Sequence, residues 1–302
     1  MTPYFRAMRL ERWPRSLAII LGSAGYFFFD RAALRSSSLP DIAGRTVAAF
    51  LLTWAVSTAN YILNEIVDRP YDAHHPTKKF RPLVRGEIRQ GPFAALGAVL
   101  LVFAFGASAV IFKPAFVLSL FLLFLAGVAY NVKPVRTKDI PFLDAISESA
   151  NNPIRFLIGW FAFAPVRSHP PVSLLMSWWA FGNYLMVAKR FTEFRFLKDK
   201  AGDYRSSHKK YTERALLAGM AASAAVALLT FLLCAWTFKL QMFYVIAPFL
   251  VALFYLIYRK TLDESGVMEE AEQMLASPTF ALYTLALISL FVVAYFTDAI
   301  GR

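Results

Sequence analysis

The side chains best suited to chemistry lie in one short stretch, from Asn64 to Pro82. Its first half collects an amide and three carboxylates, namely Asn64, Glu65, Asp68 and Asp72. Its second half and the residues just beyond collect cations, namely Lys78, Lys79, Arg81, Arg85 and Arg89. Carboxylate and amide oxygens bind hard divalent cations, and Lys and Arg balance phosphate charge. The stretch therefore indicates a site for a metal-bridged phosphate or diphosphate, whereas a plain cytoplasmic loop would explain only its basic half.

Helical spacing predicts how the acidic half is arranged. Asn64 and Asp68 are four residues apart, so they project from the same face of a helix. Pro70 predicts the end of that helix, because proline lacks a backbone N–H and clashes with the preceding turn. We therefore expect Asp72 on a turn beyond the helix, where these oxygens can fold around one cation. Ordinary helix-end residues are the alternative interpretation.

A second polar group falls within the apolar run 141–164. Its members occupy about a third of the circumference of one helix and form a single stripe, made of Asp144, Glu148, Asn151, Asn152 and Arg155. Ionisable groups inside a bilayer are costly and usually face a cavity or a partner. The stripe is a candidate site, and the alternative is a pairing of Asp144 or Glu148 with Arg155 that only holds helices together.

A third group follows the run 172–194. Lys189 and Arg190 precede Glu193 by one turn, a combination that suits a phosphate together with a second metal or a sugar hydroxyl. A snorkelling basic anchor is the alternative. Farther along are Arg205 and Tyr211, and Asp199 and Asp203 have the spacing of a second diphosphate–metal motif. The run 133–138 adds another cationic group, Lys133, Arg136 and Lys138.

Composition points to a membrane protein. Hydrophobic residues make up 58% of the 302 residues, charged residues only 17%, and the mean hydropathy is +0.48. The net charge of +12 reports basic cytoplasmic loops against an anionic leaflet, and we expect no nucleic-acid partner. The single cysteine, Cys234, excludes a disulfide framework.

The apolar runs predict an all-α fold, a polytopic bundle of nine transmembrane helices that forms one domain over residues 1–302. The runs lie near 15–29, 42–66, 92–111, 115–131, 141–164, 172–194, 215–236, 240–258 and 278–298. The loops on one side hold 22 Lys and Arg residues and those on the other side hold seven. This bias places the N-terminus in the cytoplasm and the C-terminus outside. We expect a bacterial inner-membrane protein whose active site faces the cytoplasm.

Together these motifs resemble the UbiA superfamily of intramembrane prenyltransferases. The similarity rests on Asn64-Glu65-x-x-Asp68-x-x-x-Asp72, followed by Thr77-Lys78 and Arg81-Pro82, and it covers essentially the whole chain. Glu65 stands where the family usually has Asp. The resemblance implies an enzyme, a transferase that uses Mg²⁺ and a polyprenyl phosphate or diphosphate lipid in the bilayer.

One branch of the superfamily is more similar, the decaprenyl-phosphate phosphoribosyltransferases. The run His75-Pro76-Thr77-Lys78-Lys79-Phe80-Arg81-Pro82 resembles that branch, and so do Lys189-Arg190-x-x-Glu193 and the residues Asp144 and Arg155. This resemblance implies transfer of 5-phosphoribose from phosphoribosyl pyrophosphate to a polyprenyl phosphate, with release of pyrophosphate. The alternative is prenyl transfer from a polyprenyl diphosphate to an aromatic or other small acceptor. A transporter or lipid-binding scaffold is a further alternative.

The resulting hypothesis assigns a role to each residue. The metal ligands are Asn64, Glu65, Asp68 and Asp72, and the catalytic residues are Asp68, Asp72, Lys189 and Glu193. Substrate binding is assigned to Asn64, Lys78, Arg81, Lys133, Arg136, Asp144, Asn152, Arg155, Arg190, Arg205 and Tyr211. The cations would neutralise the phosphates as pyrophosphate leaves, and Glu193 and Asp144 would orient ribose hydroxyls or the metal.

Overall fold

The computed structural model describes residues 3–73, 78–197, 206–263 and 278–300, and within these ranges all regular secondary structure is helical. Twelve α-helices follow one another in this part of the chain. They are α1 (Pro3–Met8), α2 (Ala18–Phe29), α3 (Arg31–Ser36), α4 (Leu39–Asp72), α5 (Gln90–Ile111), α6 (Pro114–Asn131), α7 (Leu143–Ser149), α8 (Asn151–Phe161), α9 (Val172–Leu197), α10 (Glu213–Thr237), α11 (Gln241–Asp263) and α12 (Pro278–Ile300). Short 3₁₀ helices lie at Leu10–Leu17, Lys78–Phe80, Thr137–Asp139 and Ser206–Lys210.

Six of these helices are long and apolar enough to cross a membrane, namely α4, α5, α6, α10, α11 and α12. A helix of about 20 apolar residues spans the hydrocarbon core of a bilayer. These six match the second, third, fourth, seventh, eighth and ninth runs predicted from the sequence. The all-α prediction is confirmed for the described residues, and the apolar helices support an integral membrane protein.

The other three predicted runs have a different form. The first becomes the 12-residue helix α2, preceded by the 3₁₀ helix Leu10–Leu17. The fifth becomes two short helices, α7 and α8. The sixth becomes α9, whose 26 residues include Lys189, Arg190 and Glu193 in its last turns. The count of nine spans and the orientation of the termini stay predictions.

The chain divides into two compact units, so the single domain over residues 1–302 also stays a prediction. The first unit contains residues 1–137 and 151–170. In it α2 packs on α8, and α4 packs on α5 and α6. A Cβ atom at Gly22 would lie 2.0 Å from the carbonyl oxygen of Phe156, and one at Gly159 would lie 2.0 Å from that of Ile19. Only glycine allows so close an approach of the α2 and α8 backbones.

A small hydrophobic core supports the loop after α4 in this unit. Ala7, Ile62, Leu83, Ile88 and Phe93 are all buried and contact one another. These residues come from α1, α4, α5 and the segment between α4 and α5. Burial of this apolar surface therefore holds both the N-terminal segment and the basic loop against the end of α4 that bears the carboxylates.

The second unit contains residues 138–150 and 171–302. In it α9 packs along α10 and against α7, α10 packs on α11, and α11 packs on α12. The side chain of Thr212 caps α10 by accepting from the backbone N–H of Ala215. Phe142, immediately before α7, has a φ of 62° and donates its backbone N–H to the Tyr211 hydroxyl. This unit thus holds the 206–212 segment beside α7 and the last turns of α9.

The expectation that α4 ends before Pro70 was wrong, because the helix continues through this proline to Asp72. Proline removes one backbone hydrogen bond and strains the preceding turn. Here the Ala73 N–H, just past the proline, bonds to the carbonyl of Arg69, and Asp72 is held by Arg81 and Lys78. These interactions offset the missing bond, so Asp72 lies on the helix and not on a turn.

The prediction of one continuous helix over 141–164 was also wrong. Helix α7 ends at Ser149, and helix α8 begins at Asn151. Pro153 falls in the first turn of α8, where its missing N–H leaves the carbonyl of Ser149 without the usual i→i−4 donor. The expected polar stripe is therefore divided, with Asp144 and Glu148 in one unit and Arg155 in the other.

Candidate functional site

The last two turns of α4 carry the acidic residues, and basic side chains from two other segments contact them. Glu65 accepts from Arg9 Nε at 3.0 Å and lies 3.5 Å from Arg81 Nε. Arg81 also donates to Asp72, and the Lys78 ammonium lies 4.0 Å from that carboxylate. Glu65 and Asp72 are both buried. Arg81 therefore bridges two carboxylates that lie two helical turns apart.

The third carboxylate, Asp68, contacts the segment that follows α6. Its Oδ1 accepts from Arg136 Nη2 at 3.1 Å, and its Oδ2 accepts from Asn64 Nδ2 at 3.1 Å. The Arg136 guanidinium also donates to the carbonyl of Asn131 at 3.0 Å and stacks over the ring of Tyr71. Asn131 accepts a further bond from Asn64. These contacts hold α4 and the end of α6 together around Asp68.

Charge and donor chemistry decide what this acidic cluster of α4 can bind. Four cationic side chains, Arg9, Lys78, Arg81 and Arg136, contact its three carboxylates, so the group as a whole is positive and suits a phosphate. Its potential cation ligands are all oxygens, as Mg²⁺ prefers.

One oxygen of this cluster is available to a ligand. No group in the described ranges hydrogen-bonds to the buried Oε2 atom of Glu65, an arrangement that is costly unless a ligand contacts that oxygen. Among the described residues no three His, Cys, Asp or Glu side chains converge on a ready cation site. Asn64 and the three carboxylates therefore fit a divalent cation. Binding it requires Arg81 and Arg136 to move from the carboxylates to the phosphates that accompany the cation.

The second unit contains a buried ion cluster centred on Arg190, which is fully enclosed. Its Nε donates to Asp144 at 2.8 Å, its Nη1 to Glu193 at 3.1 Å, and its Nη2 to Glu148 at 2.7 Å. His208 Nε2 lies 3.1 Å from Glu193 Oε2, the oxygen that Arg190 also contacts. In this Arg190 cluster one guanidinium thus contacts three carboxylates of the described residues.

Asp144 is fully buried and contacts several donors of this cluster. Besides Arg190, it accepts from the backbone N–H of Ala145 at 2.9 Å, from Ser207 Oγ at 3.2 Å and from the Tyr211 hydroxyl. Four donors fill the lone-pair directions of a carboxylate. Asp144 therefore serves here to dock the 206–212 segment on α7, and its predicted contact with a ribose hydroxyl would require one of these bonds to open.

Tyr211 lies outside the membrane-spanning helices, and its surroundings keep its phenol protonated. Burial, and then the negative charge of Asp144, raises the pKa of Tyr211 above its ordinary value of 10.0. The hydroxyl therefore donates to Asp144 while accepting from the backbone N–H of Phe142. We expect Tyr211→Phe to lower the free energy of unfolding by about 1–3 kcal/mol, because both bonds are lost inside the unit.

The pH dependence of this change follows from the raised pKa. The tyrosine contributes its full stability below about pH 10, and the contribution falls as the pH rises through the pKa in the folded state. Thermal unfolding of both proteins at neutral and at alkaline pH should show the difference shrinking at high pH. Tyr255→Phe is the matched control, because Tyr255 is exposed and its hydroxyl accepts from Arg259 as its one hydrogen bond within the described part of the chain. Equal effects of the two changes would contradict this assignment.

The remaining predicted residues are placed as follows. Lys133 is exposed after α6, Lys189 is half-buried on α9, Asn152 is half-buried at the start of α8, and Arg155 is buried on the same helix. Arg205, Asp199 and Asp203 lie outside the described residues, as do His74, His75 and Thr77. The structure brings Asn64, Glu65, Asp68, Asp72, Lys78, Arg81 and Arg136 together in the first unit, and Asp144, Arg190, Glu193 and Tyr211 together in the second.

Sequence reasoning missed four residues of these clusters. Arg9 lies outside the candidate motifs of the sequence, yet it binds Glu65. Ser207 and His208 carry no pattern that marks them, since they contact Asp144 and Glu193 across 63 and 15 residues. Asn131 follows a tyrosine at the end of an apolar run, and only its contact with Asn64 reveals its importance.

Comparison with known proteins identifies the family. The sequence model of the UbiA prenyltransferase family matches residues 23–276, which is most of the chain. The chain belongs to the UbiA prenyltransferase family. It is therefore a transferase, and its apolar helices are those of an integral membrane protein.

Two kinds of relative are similar in sequence. A decaprenyl-phosphate phosphoribosyltransferase of Mycolicibacterium smegmatis is 24% identical over 216 residues, which cover 68% of this chain and 62% of the relative. A 4-hydroxybenzoate octaprenyltransferase of Shewanella sediminis is 30% identical over 111 residues, which cover 34% of each chain. Both alignments thus span less than two thirds of the relative's own length.

The fold is that of solved UbiA proteins. A UbiA homolog from Archaeoglobus fulgidus, solved with DMAPP and Mg²⁺, aligns with a TM-score of 0.69 over 97% of this chain and 99% of that one. The two sequences are 18% identical. The agreement establishes the UbiA fold, and the resemblance noted from the motifs is confirmed.

Proposed function

We propose that this protein transfers 5-phosphoribose from phosphoribosyl pyrophosphate to a polyprenyl phosphate and releases pyrophosphate. The observation that carries the proposal is the acidic cluster of α4, an oxygen-only donor set with an excess of cationic partners. That combination suits a diphosphate bound with a divalent cation. The longer alignment with the phosphoribosyltransferase than with the octaprenyltransferase supports the choice of donor.

In the proposed reaction a phosphate oxygen of the lipid attacks C1 of the ribose. The C1–O bond to pyrophosphate breaks, and the electron pair leaves with the pyrophosphate. The lipid phosphate is already an anion, so the chain needs no strong base. Mg²⁺, held by Asn64, Glu65, Asp68 and Asp72, would supply charge neutralisation on the leaving group.

The cationic side chains near these carboxylates would bind the phosphate oxygens. Arg81 and Lys78, which contact Asp72, would turn to the phosphate oxygens once a cation satisfies the carboxylates. Arg136 contacts Asp68 and would do the same. Planar guanidinium groups bind phosphate oxygens in pairs, so they both orient the pyrophosphate and stabilise its charge as it leaves. Lys189, Arg155, Asn152, Lys133 and Arg205 stay proposed substrate contacts.

In this proposal Arg190 has a structural role. Typical prenyltransferases carry a second Asp-x-x-x-Asp motif where this chain has Lys189-Arg190-x-x-Glu193. Here Arg190 supplies a fixed positive charge among the three carboxylates. We assign Arg190 to holding α7, α9 and the 206–212 segment in position, with Glu193 and Lys189 as the catalytic candidates of this region.

The proposal includes location and topology. Helix α9, with 26 residues, is about 39 Å long and long enough to cross a bilayer. Together with α2 and its preceding 3₁₀ helix, and with the α7–α8 pair, it would complete nine crossings. The positive-inside bias then puts the acidic cluster of α4 on the cytoplasmic side of a bacterial inner membrane.

A second candidate function is prenyl transfer to a small aromatic acceptor, favoured by the 30% identity to the 4-hydroxybenzoate octaprenyltransferase. Purified protein with Mg²⁺ should be given labelled phosphoribosyl pyrophosphate with polyprenyl phosphate. In parallel it should be given labelled polyprenyl diphosphate with 4-hydroxybenzoate. We expect label in the lipid product only in the first reaction. Product only in the second would overturn the proposal in favour of prenyl transfer.

A further inference from the structure

Helices α4 and α6 are joined by side-chain amides along their contact. Asn60 Nδ2 donates to the backbone carbonyl of Leu123 at 3.0 Å. One turn later, a Cβ atom on Gly127 would lie 2.3 Å from the side chain of Asn60, so only glycine lets α6 come this close. The close approach brings Asn131, at the end of α6, within reach of Asn64.

The orientation of the Asn131 amide is fixed by a backbone group. Its Nδ2 donates to the carbonyl oxygen of Gly127 at 2.9 Å. A carbonyl oxygen can only accept, so the NH₂ group of Asn131 must face it. The Oδ1 atom of Asn131 then faces Asn64, where it accepts from Asn64 Nδ2. The backbone carbonyl of Gly127 thus determines that the oxygen of the Asn131 amide, and not its NH₂ group, faces Asn64.

Asp68 reinforces the same orientation from the other side. Its Oδ2 accepts from Asn64 Nδ2 at 3.1 Å, so both amide hydrogens of Asn64 are engaged by acceptors. Turning the amide over would set Asn64 Oδ1 against two oxygens, those of Asn131 and Asp68, with no hydrogen between them. The Oδ1 atom of Asn64 consequently faces away from both partners.

We propose that Asn131 is a positioning residue that directs the amide oxygen of Asn64 toward the divalent cation of the active site. The inference rests on the proposed function, in which Asn64 is a metal ligand. A hard cation is bound by an amide oxygen and not by an NH₂ group, so the wrong orientation removes one ligand and presents two repelling hydrogens. Groups that orient metal ligands in this way strongly affect metal affinity.

Binding of Mn²⁺, a spectroscopic substitute for Mg²⁺, tests this role without depending on turnover. Mn²⁺ should be titrated into the purified full-length protein with pyrophosphate present, and the bound ion followed by electron paramagnetic resonance. Asn131→Leu removes the acceptor that faces Asn64, and we expect Mn²⁺ affinity to fall about 10- to 100-fold. Asn131→Asp keeps an acceptor there, and we expect affinity close to that of the unmodified protein.

A purely structural role predicts a different pattern. Both variants lose the bond to the Gly127 carbonyl, so both should have lower melting temperatures, but only the leucine variant should lose Mn²⁺ affinity. The double variant Asn64→Asp with Asn131→Leu should regain affinity, because a carboxylate presents oxygen on either side. Equal affinities of the leucine variant and the unmodified protein would overturn the inference, and so would equal losses in both single variants. If the unmodified protein bound no Mn²⁺, the proposed metal site itself would be wrong.

Discussion

Replacing Asp68 by Asn is expected to reduce turnover by about 10²- to 10³-fold or more, while the protein still folds and inserts into the membrane. Asp68 lies between Asn64 and Arg136 and is a proposed ligand of the cation that balances the pyrophosphate charge. Asn keeps an oxygen that can accept from Arg136, so the contact between α4 and the segment after α6 survives. The change removes the negative charge, and with it the stabilisation of the leaving group, and it also removes the oxygen that accepts from Asn64.

Product formation from labelled phosphoribosyl pyrophosphate, measured over a range of Mg²⁺ concentrations, checks this expectation. Asp41→Asn is a matched control on the same helix, since Asp41 is exposed and pairs only with its helical neighbour Arg45 among the described contacts. The control should have unchanged activity. An active Asp68→Asn protein at ordinary Mg²⁺ concentration would refute the assignment of the metal site to α4.

The largest effect on stability is expected for Arg190→Met. The change leaves Asp144, Glu148 and Glu193 without the guanidinium that contacts all three, and the first and last of these are buried. Removing one partner of a buried ion pair typically costs about 3–5 kcal/mol, because the remaining charge stays without compensation. We therefore expect a loss in the free energy of unfolding of this size, measured by thermal or denaturant unfolding in detergent.

Two further variants test whether the destabilisation by Arg190→Met comes from the loss of a buried charge. Arg195→Met removes an exposed cation on the same helix, paired with Glu213 at 3.2 Å, and should cost at most about 1 kcal/mol. Combining Arg190→Met with Asp144→Asn and Glu193→Gln should recover much of the loss, because the two buried negative charges that Arg190 contacts are removed. If the triple variant were no more stable than Arg190→Met, the destabilisation would come from lost packing and not from charge.

Local sequence patterns were sufficient for the fold class and for the acidic half of the site. Apolar runs of bilayer length identify six of the helices, since a helix that must satisfy its backbone in lipid needs about 20 apolar residues. The spacing of Asn64 and Asp68 places both on one helical face whatever they contact. The match with the UbiA family agrees with the motif resemblance over most of the chain.

Local rules were wrong where two prolines interrupt apolar runs. Pro70 does not end α4, because Arg81 and Lys78 hold Asp72 on the helix, whereas Pro153 coincides with a break that divides the expected stripe. Each of the two prolines removes one backbone N–H donor from its helix. Whether the helix continues depends on tertiary contacts that the sequence of the helix does not contain.

The sequence by itself thus determined that this is an all-α membrane transferase with an acidic, oxygen-rich group at the end of a long helix. Only the tertiary structure decided which cation contacts which acid. Arg9 lies 56 residues from Glu65, Arg136 lies 68 residues from Asp68, and Arg190 lies 46 residues from Asp144. A charged side chain carries no local signature of its partner, because the pairing depends on the burial and approach of distant helices.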